Sequence, residues 1–192
     1  AVSGDAKGTP RWGVAWGGLG RDAVRGLAIS GSGETYGAGY FEGDAQFGAA
    51  GTRTAVGGSD IYVAQVKADG AIGWVRTFGG KRDDLATSIA CDARGNVAVA
   101  GHFVDDFQLE TFKAVAAGSD DLFVAGFDPS GSPEWLWTAG GLDSDGANTI
   151  ASHPAGGWVV AGSFTGSTLF GATKFKSQGA TDAFLIRLGG DG

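Results

Sequence analysis

LATSIACDARGNVAVAGHF, residues 85–103, reads as a tight β-hairpin. Two short apolar runs flank the polar cluster Asp92, Ala93, Arg94, Gly95 and Asn96, whose Gly and Asn adopt the positive φ of a reversing turn more readily than other residues. The second run, Val97 to Phe103, is apolar on both faces, rich in β-branched and small residues, and too short and Gly-broken for a helix. Such a run suits a strand buried on both sides.

The chain writes versions of this hairpin three times. The pairs Gly17–Gly18, Gly79–Gly80 and Gly140–Gly141 recur at spacings of 62 and 61, and Asp22, Asp84 and Asp145 each follow four residues after the second Gly. The register then holds through Phe41, Phe103 and Phe164, each preceded two residues earlier by Gly39, Gly101 or Gly162. Asp60 and Tyr62 match Asp121 and Phe123, then Asp182 and Phe184, while Trp12, Trp74 and Trp135 each precede the next Gly pair by five. A period near 61 with four strand-like pieces per copy predicts a propeller or a solenoid rather than three unrelated domains.

The pattern W-x4-GG-x3-D, a hairpin ending in V-A-G-x-F, then G-x-x-D-x-[FY] resembles the bacterial seven-bladed β-propeller repeat family over residues 8 to 192. The resemblance implies a propeller-forming repeat of secreted, periplasmic or cell-surface bacterial proteins, with no shared catalytic residues. The copies depart from one another at the hairpin turn, which reads Ser30-Gly31-Ser32-Gly33, Asp92-Ala93-Arg94-Gly95 and His153-Pro154-Ala155-Gly156. Three copies are also fewer than the family's name suggests.

These observations predict an all-β fold, a β-propeller of four-stranded antiparallel blades with three blades per chain. Residues 1–7 form a tail, and the repeats run about 8–70, 71–131 and 132–192. In the second copy, strand A covers Asp84 to Cys91, B Asn96 to Phe103, C Asp121 to Asp128 and D Glu134 to Ala139. The chain opens on a D-type strand, Arg11 to Trp16, and ends after a C-type strand, Asp182 to Leu188, so the first is expected to complete the sheet of the last. Three such blades meet too steeply to close, and an open fan exposes apolar faces and unpaired edges. The expected partner is therefore the chain itself: a homo-dimer of six blades, with each N-terminal strand completing the other's last blade, or a trimer of nine. The alternative is a piece of a longer propeller.

Composition narrows the function. Thirty-seven Gly beside 43% apolar residues and six Trp indicate many short elements joined by turns, not disorder. A net charge of −7 with no basic run argues against nucleic acid and anionic membrane surfaces as partners. No apolar stretch approaches the roughly 20 residues of a membrane span. Cys91 is the only cysteine, which excludes an internal disulfide and a multi-cysteine zinc site, and its counterparts Ile29 and Ser152 mark it as a small strand residue. The first residue is Ala1, consistent with a removed leader or a trimmed chain.

Candidate ligand-binding residues are Asp22, Asp84 and Asp145 at the D-to-A turns, which could ring an axis and bind a cation or a sugar hydroxyl. Set against that, an Asp in every copy is what capping of each turn demands, and the same holds for Asp60, Asp121 and Asp182. Trp12, Trp74 and Trp135 recur and so read as packing between blades. Trp16, Trp137 and Trp158 do not recur and are the better candidates for a sugar-stacking platform, with core filling as the other reading. His102 and His153 occupy different repeat positions, so no repeated catalytic histidine exists. Adjacent pairs such as Asp83–Asp84, Asp105–Asp106 and Asp120–Asp121 point in opposite directions in extended backbone, which disfavours paired-carboxylate chemistry. The Gly pairs lack the following Lys and helix of a phosphate loop. No cofactor, metal or catalytic residue is expected. The sequence reads as a non-catalytic scaffold or binding module presenting long B-to-C loops (42–59, 104–120, 165–181) to a protein or glycan partner. The alternatives are a carbohydrate-binding lectin, a hydrolase, and an excised or engineered propeller piece without activity of its own.

Overall fold

The computed structural model describes residues 2–4 and 8–192. It is all-β, 61% strand, with no α-helix among the described residues. The first two repeats form antiparallel sheets in the order A-B-C-D, and the third forms A-B-C. The N-terminal hairpin pairs β1 (Val2–Gly4) with β2 (Pro10–Gly13), and β3 (Gly17–Gly18) follows. The first repeat sheet contains β4 (Asp22–Ile29), β5 (Thr35–Gln46), β6 (Thr52–Val66) and β7 (Ile72–Phe78). In the second, β8 (Leu85–Cys91) and β9 (Val97–Phe103) lead through the small hairpin β10 (Phe107–Leu109) and β11 (Phe112–Ala114) to β12 (Asp121–Phe127) and β13 (Pro133–Gly141). The third sheet has β14 (Gly146–Ser152), β15 (Trp158–Phe164) and β18 (Asp182–Leu188), while the third repeat's hairpin β16 (Ser167–Phe170) and β17 (Thr173–Lys176) pairs with β13 at the edge of the second sheet.

The A-to-B turns follow the chemistry of their residues. Gly33, Gly95 and Gly156 sit at φ of 93°, 88° and 84°, a region costly for any residue with a Cβ. In the second repeat the Asp92 carboxylate accepts the Arg94 and Asn96 N–H groups at 2.8 and 2.9 Å, holding the turn closed. Every A strand carries a bulge at one place, skipping Arg25, Thr87 or Asn148 in its pairing with strand B. The bulged Thr87 turns its hydroxyl to the next sheet and donates to the Ala147 carbonyl at 2.6 Å.

The core lies between sheets. Tyr36, Ile61 and Val63 of the first sheet meet Ile89, Val99, Phe123 and Phe127 of the second. Ala98, Leu122 and Val124 on the second sheet's other face meet Ile150, Val160 and Phe184 of the third. The repeated tryptophans join these layers through glycine. A Cβ at Gly131 would stand 2.5 Å from the Trp74 ring, and the Trp74 indole N–H donates to the Pro129 carbonyl at 3.1 Å. Gly192 meets Trp135, and Gly70 meets Trp12, in the same way.

Two expectations are corrected. The B-to-C segments are not long irregular loops: β5 and β6 run on toward a short 3₁₀ turn at Gly48–Ala50, and β10–β11 and β16–β17 fold as hairpins. Buried apolar residues cause this, since Phe47, Phe107, Leu109 and Phe170 need cover that irregular backbone would not supply. Within the chain, β2 does not complete the last sheet. It pairs with Val2–Gly4, inside the expected tail, and the third sheet has three strands, β14-β15-β18. Of that tail, residues 1 and 5–7 lie outside the described residues.

Burial sets the energetic ranking. Phe123→Ala, at a position 0% exposed, is expected to cost about 3–5 kcal/mol, whereas Leu185→Ala, at a position 72% exposed, is expected to stay within about 0.5 kcal/mol in a single chain. Urea unfolding of the two variants as monomers checks the contrast.

Candidate functional site

The six carboxylates at the repeat turns face backbone N–H groups. Asp22 accepts the Gly18 N–H at 2.8 Å, and Asp84 accepts those of Gly80 and Val104 at 2.5 and 3.2 Å. Asp145 accepts the Thr165 N–H at 3.3 Å and the Thr168 hydroxyl at 2.6 Å. The second set caps four residues back: Val56 donates to Asp60 at 3.0 Å, Ala117 to Asp121 at 2.5 Å and Gln178 to Asp182 at 2.8 Å. These bonds are what close each turn. Among the described residues no group of three or more His, Cys, Asp or Glu is placed to hold a metal ion.

Burial makes four of the carboxylates, Asp60, Asp84, Asp121 and Asp145, harder to ionise. Loss of solvent around Asp84 pushes its pKa up to about 6 against the pull of its two N–H donors, and burial likewise raises Asp60, Asp121 and Asp145.

The three non-repeated tryptophans occupy different settings. Trp158 is buried between the second and third sheets. Trp16 stacks on Phe47 at 6.2 Å and meets Tyr62 edge-on at 5.7 Å, capping the first sheet. Trp137, half-buried on β13, opens onto a cleft of ≈ 320 Å³ beside the β16–β17 hairpin, with Phe170, Thr173, Phe175 and Ile186 as further walls. Phe170 and Phe175 meet edge-on at 5.3 Å, and Phe175 is partly exposed. The structure thus separates Trp16, Trp137 and Trp158 and gives only Trp137 an open aromatic neighbour. The missed residues, Phe170 and Phe175, sit in a segment whose fold sequence periodicity did not show.

A polar pocket lies at the junction of the second and third sheets, lined by His102, Asp120, Ser144, Gly146, Asn148 and Ser163. It exists because Gly146 stands where the second repeat has Leu85. The Ser144 hydroxyl donates to Asp120 at 2.9 Å rather than to His102, and burial lowers the His102 pKa despite the nearby Asp120 charge. A serine whose hydroxyl is held by a carboxylate lacks the base contact of an activated nucleophile. His153 lies in an A-to-B turn, where its Nδ1 accepts the Ala155 N–H at 3.1 Å.

No family model matches this chain, and no curated protein matches it.

The Asp84 shift carries a sign. The unfolded chain releases the proton near 3.8 and the folded chain near 6, so the folded state binds more protons between those values. Stability is therefore expected to fall as pH rises through that window and to level off above it. Urea midpoints measured across the window check this, and Asp84→Ala is expected to reduce the slope.

Proposed function

We propose that the three repeat sheets are blades of a β-propeller and that the chain is a non-catalytic binding scaffold, presenting its B-to-C hairpins to a protein or glycan partner. One observation supports this reading above others: the repeated aspartates and tryptophans serve turns and packing between sheets, whereas the unshared Trp137 and Phe175 line one open cleft beside a B-to-C hairpin. The placement proposed for such a scaffold is secreted, periplasmic or at a bacterial cell surface, following the resemblance of its motifs.

A lectin is the narrower reading, favoured by the Trp137–Phe175 cleft. The apolar face of a pyranose stacks on aromatic rings, and the Thr173 hydroxyl at the rim supplies a polar handle. Simple-sugar arrays followed by tryptophan fluorescence titration test it. A bound sugar is expected to lose at least about tenfold in affinity, about 1.4 kcal/mol, in Trp137→Ala and Phe175→Ala. A flat array rejects the lectin and leaves a protein partner; sugar binding untouched by both substitutions rejects the cleft. Turnover of glycoside or ester substrates would reject the non-catalytic reading.

A further inference from the structure

The chain itself shows what covers the face of a repeat sheet, because each internal face is covered by another repeat. Val63 and Val124 are both 0% exposed under the following sheet, and their counterpart Leu185 is 72% exposed. At the other end, Ile89 and Ile150 are 4% and 6% exposed under the preceding sheet, and their counterpart Leu27 is 58% exposed. The two ends of the chain are thus the two halves of the contact made twice within it.

Backbone contacts repeat the pattern. A Cβ at Gly57 would strike Gly80 and Lys81, and one at Gly118 would strike Gly141 and Leu142, whereas the counterpart Gly179 has nothing within 4 Å. Its missing neighbours correspond to Gly18 and Leu19, and Leu19 is fully exposed. The Asp84 and Asp145 N–H groups donate across the sheet junctions to the Ser59 and Asp120 carbonyls at 2.8 and 2.7 Å. The corresponding pair, Asp22 and Thr181, lies at opposite ends of the chain.

The N-terminal strand is already seated for this contact. Trp12 lies on Gly70 as Trp74 lies on Gly131, so β2 occupies the place of a D strand preceding the first sheet, while the third sheet lacks its D strand. The slot beside β2 also has the C-strand register. Gln65 pairs with Trp74 and Val66 with Ile72; Gly126 pairs with Trp135 and Phe127 with Pro133. Ser3 pairs with Trp12 and Gly4 with Pro10, skipping the same position. Val2–Gly4 therefore fills the place that Ile186–Leu188 of a neighbouring repeat would take.

We propose that a second copy of this chain covers both open ends, head to tail, with Asp182–Leu188 of each copy displacing Val2–Gly4 and pairing with β2 of the other, Arg187 opposite Trp12 and Leu188 opposite Pro10. The exchanged strand is longer than the three residues it replaces and brings Leu185 and Leu27 out of solvent, so the exchange adds ladder bonds and apolar burial. A head-to-tail contact needs a rotation that closes, and two copies close at six sheets, within the four to eight usual for propellers, whereas three copies reach nine. This inference does not rest on the ligand reading and competes with it, because Ile186, Arg187 and Leu188, which β2 of the other copy would flank, also wall the Trp137 cleft.

Light scattering behind a sizing column tests it on the full chain. The expected species has twice the 19.3 kDa chain mass. Leu185→Asp and Val24→Asp each put a charge on an exposed side of one open end, and each is expected to give a folded monomer with an unchanged β-type circular dichroism spectrum. Deleting residues 1–4 removes the competing strand and is expected to lower the concentration at which the pair forms. A monomer at every concentration up to about 1 mM, with and without residues 1–4, overturns the proposal. A dimer that survives both substitutions overturns the surface, a threefold mass overturns the stoichiometry, and a deletion without effect overturns the displacement of Val2–Gly4.

Discussion

The second repeat sheet is apolar on both faces, with Phe123, Ala125 and Phe127 on one side of β12 and Leu122 and Val124 on the other. A sheet of that kind has no face to give to water, so it is stable only between two others. The remaining architecture follows from that constraint. Sheets must stack in a row, each must be thin enough for its neighbours to approach, and the end sheets carry the cost of having one neighbour.

The close approach is met by glycine and aspartate in fixed partnership. Glycine in the C-to-D turns makes room for the ring of the preceding sheet's tryptophan, where any Cβ would collide with the indole. Aspartate at the D-to-A turns and within the C strands, at Asp60, Asp121 and Asp182, ties down backbone N–H groups of the preceding turn. Burial of Asp60, Asp84, Asp121 and Asp145 raises their pKa, so devices that hold the turns also make the fold sensitive to pH. Because these partnerships serve folding, the binding role proposed above falls to residues in which the copies differ.

Much of this was legible in the residues. The hairpin of Leu85–Phe103, the glycine turns and the capping role of the repeated aspartates follow from local chemistry, and the structure has them at the expected places. Strand C of the third copy, Asp182–Leu188, has the expected bounds. The B-to-C segments were harder because polar positions interrupt their short apolar stretches. What folds them is long-range burial of Phe47, Phe107 and Phe170, which no window of a few residues contains. The Trp137 cleft was half legible, since the tryptophan stood out as unrepeated but its neighbour Phe175 is brought to it only by the hairpin.

The threefold repetition, the A-to-B hairpins and the C strands were written in local residue pattern, because periodicity, glycine conformations and aspartate caps act over a few residues and recur at a fixed spacing. Long-range packing settled which faces are covered, that Val2–Gly4 pairs with the strand carrying Trp12, that the B-to-C segments fold as hairpins, and that Trp137 and Phe175 line one cleft. Those outcomes depend on which surfaces come within reach across the chain, and on the free energy of removing them from water together.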